Sequence, residues 1–254
     1  MQSVPRALPA SLPVDELHVW RASLDAETEV SEMLHRVLAA DERERARRFR
    51  FERDRSRYVA GRGLLRVLLG RYVGCNPGDI RFTYGQHGKP RLDRNGPWFN
   101  VSHSGPLALF AFSSSVEVGV DVELDDADFS RDLIAERFFS PAEVKVLRSL
   151  PDSLQPRAFL SGWTRKEAFI KARGDGLSLP LDSFDVTLAP GQPVAILRTA
   201  GSGDEPTEWS LMDLSDPERG FIAAVAGRTS SWRVIRSGVA AILDNELAID
   251  QEER

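Results

Sequence analysis

Two carboxylates, Asp121 and Glu123, stand two positions apart in the segment VEVGVDVEL, which covers residues 116–124. The alternation of apolar and polar residues predicts a β-strand, so both carboxylates point to one face and the valines to the other. Neighbouring carboxylates repel each other unless a cation lies between them, and hard oxygen ligands suit Mg²⁺ or Mn²⁺. The pattern is therefore that of a solvated acidic face or of a divalent metal site.

The segment WTRKEAFIKARGDGL, residues 163–177, predicts a helix that ends in a glycine-rich turn. At about 100° per residue, Glu167 and Lys171 fall on the apolar stripe and not on the polar face, where a surface ion pair would lie. An inward carboxylate needs a partner, so we expect Glu167 to be a third metal ligand or a base beside the metal. Lys171 would then reach a phosphate held by the same ion, with Lys166 as a satellite contact.

The segment FNVSHSG, residues 99–105, is typical of an extended chain that leads into a glycine turn. Ser102 and His103 are adjacent and point to opposite faces, which argues against a Ser–His nucleophile pair. His103 is therefore either an ordinary core or surface histidine or a donor to a phosphate. Upstream, GKP at residues 88–90 offers flexible backbone and one cation, Lys89.

Arginine is dense between Arg43 and Arg66, where we predict one helix over residues 40–72. Most of these arginines are interleaved with acidic residues and fit a solvated helix face. Arg62 and Arg66 differ, because leucines and valines surround them. A buried arginine needs a partner, and a phosphate is one option.

Together these side chains describe one kind of site. Three carboxylates suit a divalent cation, and a set of basic groups suits several phosphates. The basic groups are Arg45, Arg62, Lys89, His103 and Lys171. No nucleophile is evident, so the set suits an enzyme that acts on a pyrophosphate while another molecule supplies the attacking group.

Composition narrows the class of protein. The chain of 254 residues has a net charge of −5, which argues against a general nucleic-acid binder. Its one cysteine, Cys75, excludes an internal disulfide framework and fits a reducing compartment. No apolar run is long enough for a signal peptide or a membrane span. We expect a cytoplasmic protein that binds neither nucleic acid nor membrane.

The elements that would position these residues form two similar halves, each built of helices and strands. This order predicts the α+β class. The change from one half to the other lies within residues 113–119. We therefore divide the chain into an N-terminal half, residues 1–116, and a C-terminal half, residues 117–254, which carries the metal site.

Five motifs, in this order and spacing, resemble the Sfp-type 4′-phosphopantetheinyl transferases over roughly residues 40–190. They are GKPRL, FNVSHSG, GVDVE, FFSPAEV and WTRKEAFIKARGDGLSLPLDSF. The resemblance implies a monomer with two halves related by a pseudo-twofold axis and coenzyme A bound between them. It implies transfer of phosphopantetheine from coenzyme A to a serine of an apo acyl or peptidyl carrier protein. The WxxKEAxxK form is similar to the branch that serves nonribosomal peptide and polyketide synthases.

The resemblance also implies roles for individual residues. The Mg²⁺ ligands, with Mn²⁺ as a possible substitute, would be Asp121, Glu123 and Glu167. The catalytic residues would be Glu167 as base, directly or through water, with Lys171 and His103 as pyrophosphate contacts. The wall on the nucleotide side would contain Gly88, Lys89, Pro90, Asn100 and Ser102, and Asp121 would also face the coenzyme.

Arg45 and Arg62 resemble the contacts to the adenosine end and its 3′-phosphate. One departure concerns a second basic residue that is often found just upstream of the Arg45 position. That position is Glu42 here, and Arg43 is the alternative.

The carrier would dock beside the cleft, for which residues 126–139 are a candidate; we expect Phe138 and Phe139 themselves to be core. Ser140 and Glu143 form a capping-box pattern that predicts the start of a helix. Two other functions use the same residues. One is a Mg²⁺-dependent pyrophosphohydrolase of coenzyme A or a nucleotide, and the other is a non-catalytic regulator that binds coenzyme A.

Overall fold

The computed structural model describes residues 12–125, 131–199, 205–240 and 242–243. Its helices are α1 (Thr28–Arg36), α2 (Ala40–Arg47), α3 (Glu52–Val73), α4 (Arg131–Phe138), α5 (Pro141–Ser149) and α6 (Gln155–Arg173). Its strands are β1 (Glu16–Ser23), β2 (Phe82–Tyr84), β3 (Pro90–Leu92), β4 (Trp98–Ser104), β5 (Leu107–Ser113), β6 (Val118–Leu124), β7 (Phe184–Val186), β8 (Ile196–Thr199), β9 (Ser210–Asp213), β10 (Phe221–Gly227) and β11 (Arg233–Gly238). This arrangement confirms the α+β class.

Two sheets form the centre of the molecule. One has four strands in the order β11-β1-β5-β4, and the other has three strands in the order β6-β10-β9. Neighbouring strands are antiparallel except for β1 and β11, which are parallel. The expected division between residues 116 and 117 falls just before β6 and stays a prediction, while β11 returns from the C-terminal part to pair with β1.

Each sheet is covered by one long helix. Leu64 and Leu68 of α3 share a core with Phe110 and Phe112 on one face of the four-stranded sheet. On the C-terminal side, Ala168 and Phe169 of α6 share a core with Ala224 and Ala226 of β10. Apolar residues of β5, β6 and β10 fill the space between the two sheets; they include Leu109, Val120 and Val225. Each sheet thus has its own long helix, and β11 of the C-terminal part completes the four-stranded sheet.

The edges of the two sheets meet where β4 lies beside β6. Polar side chains of β4 take the place of a neighbouring strand: the Asn100 Oδ1 accepts a hydrogen bond from the Val120 N–H at 2.9 Å. The Ser104 hydroxyl oxygen accepts another from the Leu124 N–H at 3.3 Å. Because an unpaired strand edge needs partners for its N–H groups, this contact fixes β6 against β4.

Gly119 lets α6 lie directly on β6. A Cβ atom at this position would be 2.1 Å from the carbonyl oxygen of Ala168 and 2.2 Å from the backbone nitrogen of Ala172. No side chain fits between the two elements, so only glycine permits this approach. The close contact sets the distance between the carboxylates of β6 and the polar residues of α6.

The sequence predictions for β6 and α6 are confirmed. The alternating segment forms β6, and α6 ends at Arg173, followed by Gly174 with a left-handed φ of 78°. The single arginine-rich helix expected over residues 40–72 is wrong, because the chain forms two helices, α2 and α3. Phe51 between them is extended, with φ −105° and ψ 134°. The resulting bend allows the ring of Phe49 to lie 5.2 Å from that of Tyr58.

Among the described helices, none combines the length and the apolar character that a membrane crossing requires.

Candidate active site

Three carboxylates, Asp121 and Glu123 on β6 and Glu167 on α6, form what we call the carboxylate cluster. Asp121 is buried, and its Oδ1 lies 2.6 Å from the Lys171 Nζ. The Ser102 hydroxyl donates to the same Oδ1 at 2.8 Å and accepts from the Lys171 ammonium at 3.1 Å. The structure thus brings together a strand carboxylate, a helix cation and a serine of the neighbouring sheet.

Ser104 does for Glu123 what Ser102 does for Asp121. Its hydroxyl donates to the Glu123 Oε2 at 2.8 Å while it accepts from the Leu124 N–H. The sequence analysis gave Ser104 no role. A signal was present, because Ser102 and Ser104 lie on the same face of a strand.

The pKa values of the cluster show how strongly these groups interact. Burial raises the pKa of Asp121, and the charge of Lys171 opposes that change without cancelling it. Burial also raises the pKa of Glu123, and the charges of Asp121 and Glu167 add to the effect. For Glu167, burial and then the charge of Asp121 raise the pKa. Each group would therefore ionise more easily beside an additional cation.

The fit of the cluster to a divalent cation has two sides. In favour, the Asp121 Oδ2 is buried and has no hydrogen-bond partner among the described residues, which leaves a hard oxygen ligand unused. Against a finished site, no three His, Cys, Asp or Glu side chains within the described ranges are gathered closely enough to hold a metal ion. The donor types fit Mg²⁺, and the side chains would have to converge to bind it.

A cavity of about 520 Å³ lies beyond β4, between that strand, α2 and α3; we call it the β4 cavity. Its wall includes Arg45, Tyr58, Arg62, Pro90 and His103. Burial, followed by the charge of Lys171, lowers the pKa of His103 from its ordinary value of 6.5. His103 is therefore neutral at pH 7 and lies within electrostatic reach of the carboxylate cluster.

Other expected coenzyme contacts have structural partners. The Lys89 Nζ donates to Glu117 at 2.9 Å and to the Ala172 carbonyl at 3.1 Å. Burial lowers the pKa of Lys89, and the Glu117 carboxylate partly offsets this. Lys89 thus ties the loop before β3 to the end of α6. Gly88 precedes it with a left-handed φ of 78°.

Successive side chains of β4 point to opposite faces, so the expected coenzyme contacts on this strand fall into two groups. Asn100 and Ser102 face β6, whereas His103 faces the β4 cavity with Arg45 and Arg62.

Glu42 has a role that the sequence analysis did not foresee. It is buried and forms ion pairs with Arg62 and with Arg66, whose Nε lies 2.6 Å away. Arg66 also donates to the carbonyls of Pro77 and Ile80, both at 3.0 Å. Arg66 therefore has protein partners in place of the phosphate that was one option.

Arg43 does not replace the missing basic residue in the β4 cavity. It lines a separate cavity between α1, α2 and α3, where it donates to the Arg36 carbonyl at 2.7 Å. Arg43 and Arg45 lie on nearly opposite sides of α2, because two helical positions differ by about 200°.

Lys166 was expected to be a satellite contact, and that expectation is wrong. Its side chain is fully buried, with Nζ 2.7 Å from Glu143 and close to the carbonyls of Leu181 and Phe184 at 2.7 and 2.6 Å. Glu143 also accepts from the Val186 N–H at 2.8 Å. The pair joins α5, α6 and β7 and so supports the helix that carries Glu167.

Two family models match successive parts of this chain. The model described as 4′-phosphopantetheinyl transferase, N-terminal, matches residues 20–115. The model described as 4′-phosphopantetheinyl transferase superfamily matches residues 117–226.

Curated relatives of this chain are also 4′-phosphopantetheinyl transferases. The 4′-phosphopantetheinyl transferase HetI of Nostoc sp. is 39% identical over 234 residues, which cover 91% of this chain and 95% of that protein. The 4′-phosphopantetheinyl transferase Sfp of Bacillus subtilis is 38% identical over 169 residues, 66% of this chain and 74% of that one. The L-aminoadipate-semialdehyde dehydrogenase-phosphopantetheinyl transferase of Homo sapiens is 32% identical over 216 residues, 78% of this chain and 70% of that one. The chain therefore belongs to the Sfp-type 4′-phosphopantetheinyl transferase family.

Proposed function

We propose that this protein transfers the 4′-phosphopantetheine group of coenzyme A to a serine of an apo carrier protein and releases adenosine 3′,5′-bisphosphate. One observation carries the proposal beyond family membership. Adjacent residues of β4 face two compartments, with Ser102 bonded to the carboxylate cluster and His103 in the β4 cavity. A coenzyme that crosses this strand would place its nucleotide in the cavity and its pyrophosphate beside the cluster.

The bonds that change in this reaction are few. The carrier serine oxygen forms a bond to the β-phosphorus, and the bond from that phosphorus to the adenosine bisphosphate oxygen breaks. The serine proton passes to Glu167, directly or through water. The raised pKa of Glu167 brings its basicity closer to neutral pH, which suits a general base.

Mg²⁺, with Mn²⁺ as a possible substitute, would be held by Asp121, Glu123 and Glu167. A bound divalent ion supplies neutralisation of the charge that builds on the leaving phosphate. Lys171 lies against Asp121 and is partly exposed, so it is placed to turn toward a pyrophosphate oxygen. His103 would donate a hydrogen bond to the same group from the other side of β4.

The partner would be an apo acyl or peptidyl carrier protein. We place its docking surface on the segment after β6, of which residues 126–130 lie outside the described ranges. Phe139 is buried and stacks on Phe159 at 5.3 Å, and Phe138 packs edge-on to Trp163 at 6.0 Å. Phe139 belongs to the core, as expected, and Phe138 is half-buried against it, so we place the carrier contacts on other side chains of α4.

The setting of the reaction is also proposed. The single cysteine and the acidic net charge of −5 support a cytoplasmic enzyme without nucleic-acid or membrane partners. The WxxKEAxxK form supports carriers of nonribosomal peptide or polyketide synthesis. We propose that the enzyme works as a monomer, because both halves of the site lie in one chain.

Intact-mass measurement of an apo carrier protein tests the function. The carrier is incubated with the protein, Mg²⁺ and coenzyme A, with an EDTA control. We expect a gain of one phosphopantetheine that is absent with EDTA. Breakdown of coenzyme A without any gain would favour the pyrophosphohydrolase. Binding of coenzyme A with neither outcome, on several unrelated carriers, would favour the regulator.

A further inference from the structure

The β4 cavity is rimmed by three arginines, Arg45, Arg57 and Arg62. Three cations would ordinarily make a strong phosphate site, because each guanidinium offers several donors to the phosphate oxygens. Whether they do so depends on which of them already have acidic partners within the protein.

Arg57 has such a partner. Its Nε donates to the Asp25 Oδ1 at 2.7 Å and a terminal nitrogen donates to the Oδ2 at 3.0 Å. The hydrogen bonds from Arg57 lower the pKa of Asp25, so this carboxylate stays ionised at neutral pH. Asp25 thus accepts two parallel hydrogen bonds from Arg57, and the same pair of N–H donors would otherwise bind a phosphate.

Arg62 is also paired, with Glu42. Its Nε donates to the Glu42 carboxylate, a terminal nitrogen donates to the Tyr84 hydroxyl at 3.0 Å, and its Cζ lies 3.8 Å from the Phe82 ring centre. Burial acts to raise the pKa of Glu42, but Arg66 and Arg62 outweigh it, and the pKa is lowered. Glu42 is therefore ionised, and its carboxylate holds Arg62 while it also pairs with Arg66.

Arg45 is the remaining cation of this rim. Within the described residues it forms no ion pair, and its guanidinium lies 5.3 Å from the centre of the Tyr58 ring. Its side chain is exposed, so water and salt screen its attraction for a phosphate. Asp54 lines the same cavity, and its Oδ1 lies 3.5 Å from the Arg53 Nε, so its charge is shared with an arginine outside the cavity lining.

We infer that the β4 cavity recognises its nucleotide mainly by shape and ring contacts, and that 3′-dephospho-coenzyme A is used nearly as well as coenzyme A. This inference rests on the proposed function. Asp25 and Glu42 each hold one of the three rim arginines, with Glu42 also paired to Arg66. A 3′-phosphate therefore meets one guanidinium, that of Arg45, without an acidic partner among the described residues. Tyr58 and Phe49 on the wall offer aromatic surface to the adenosine.

The first experiment compares the two donors with the wild-type protein and one apo carrier, with transfer followed by intact mass. We expect the kcat/KM values to differ by about fivefold or less, since an exposed ion pair contributes little more than that. A preference for coenzyme A of about twentyfold or more would overturn the inference. Failure of both donors would overturn the proposed function as well, so the two failures are distinguishable.

A second experiment removes the acidic partner of one rim arginine, Arg57. Asp25→Asn removes the partner of Arg57 at an exposed position, and we expect the preference for coenzyme A to rise about fivefold. The matched control is Asp182→Asn, an exposed aspartate that does not line the β4 cavity and should leave the ratio unchanged.

Glu42→Gln frees Arg62 in the same way and should also raise the ratio. Because this change also affects buried Arg66, its thermal unfolding is measured beside the kinetics. An unchanged ratio in Asp25→Asn and in a folded Glu42→Gln would contradict the role assigned to these carboxylates. If Glu42→Gln does not fold, the result of Asp25→Asn decides alone.

Discussion

The carboxylate cluster and the β4 cavity lie on opposite sides of one strand, and their charges are arranged in opposite ways. In the cluster, like charges are held together, and the pKa values of Asp121, Glu123 and Glu167 are raised. One oxygen of Asp121 has no hydrogen-bond partner among the described residues. In the cavity, two of the three arginines, Arg57 and Arg62, already have acidic partners, and the pKa of Glu42 is lowered. Carboxylates whose pKa values are raised by burial and by like charges are typical of an active site, whereas paired arginines and carboxylates are typical of a structural wall.

The two regions are also held in different ways. The cluster depends on sheet edges and on a helix that touches β6 at Gly119. The cavity depends on arginine side chains of α2 and α3 and on loops. Backbone contacts position groups more exactly than long side chains do, so changes near the cluster should affect the reaction most.

The largest effect is expected from Asp121→Asn. The change removes a carboxylate charge from the cluster and the ionic partner of Lys171, which lies 2.6 Å away. We expect carrier modification to slow by at least about a hundredfold while the chain stays folded. The matched control is Asp182→Asn, which is exposed and should keep full activity. Near-normal transfer by Asp121→Asn would break the assignment of chemistry to the cluster.

Gly119→Ala tests the contact between β6 and α6. The new methyl group would meet the Ala168 carbonyl at 2.1 Å and push the helix away from the strand. We expect a loss of about 2–3 kcal/mol in the free energy of unfolding, measured in urea, together with reduced turnover. Gly238→Ala has open space at its Cβ and serves as the control. Equal stability of both variants would show that α6 does not depend on this approach.

The free energy of unfolding should depend on pH in opposite ways through Glu42 in the cavity wall and Glu167 in the cluster. Glu42, with a lowered pKa, contributes stability above its unfolded value near 4.5, and this is lost as pH falls through the folded pKa. We expect Glu42→Gln to cost roughly 3 kcal/mol at pH 7 and progressively less in acid.

Glu167 has a raised pKa, so its ionisation reduces the stability of the fold as pH rises above 4.5. Glu167→Gln, in EDTA, should therefore gain stability relative to wild type between pH 4.5 and pH 8. Urea titrations across this pH range provide the measurement. Parallel pH curves for the Glu42 and Glu167 variants would remove the proposed difference between the regions.

A smaller effect is expected from Ser104→Ala. The change removes the hydroxyl that joins the Glu123 carboxylate to the Leu124 N–H. We expect about a tenfold increase in the Mg²⁺ concentration needed for half-maximal activity, since a misoriented ligand binds the metal less well. Ser149→Ala, an exposed serine, is the control. An unchanged Mg²⁺ requirement would show that Glu123 is positioned without Ser104.

Local patterns explain which features the sequence revealed. The alternation in β6 and the helical pattern of α6 each depend on residues within one element, and both elements are confirmed. The one-sided apolar stripe is not, because α6 is buried on several sides and includes fully buried Lys166. The pairs Glu42–Arg62 and Glu143–Lys166 join residues about twenty positions apart, and their burial depends on how helices pack. The break between α2 and α3 likewise brings Phe49 against Tyr58, nine positions further along the chain. Such contacts leave no periodic signal, so the roles of Glu42 and Lys166 could not be predicted.

Single-turnover transfer at saturating coenzyme A tests most directly whether the chemistry lies in the carboxylate cluster. Two variants are compared with wild type, Glu167→Gln in the cluster and Arg45→Ala in the β4 cavity. We expect Glu167→Gln to bind coenzyme A and to slow transfer by about a hundredfold or more, because general-base catalysis is lost. Arg45→Ala should transfer at the wild-type rate once coenzyme A is saturating. A normal rate in Glu167→Gln, with a slow rate in Arg45→Ala, would contradict the division of roles between the two regions.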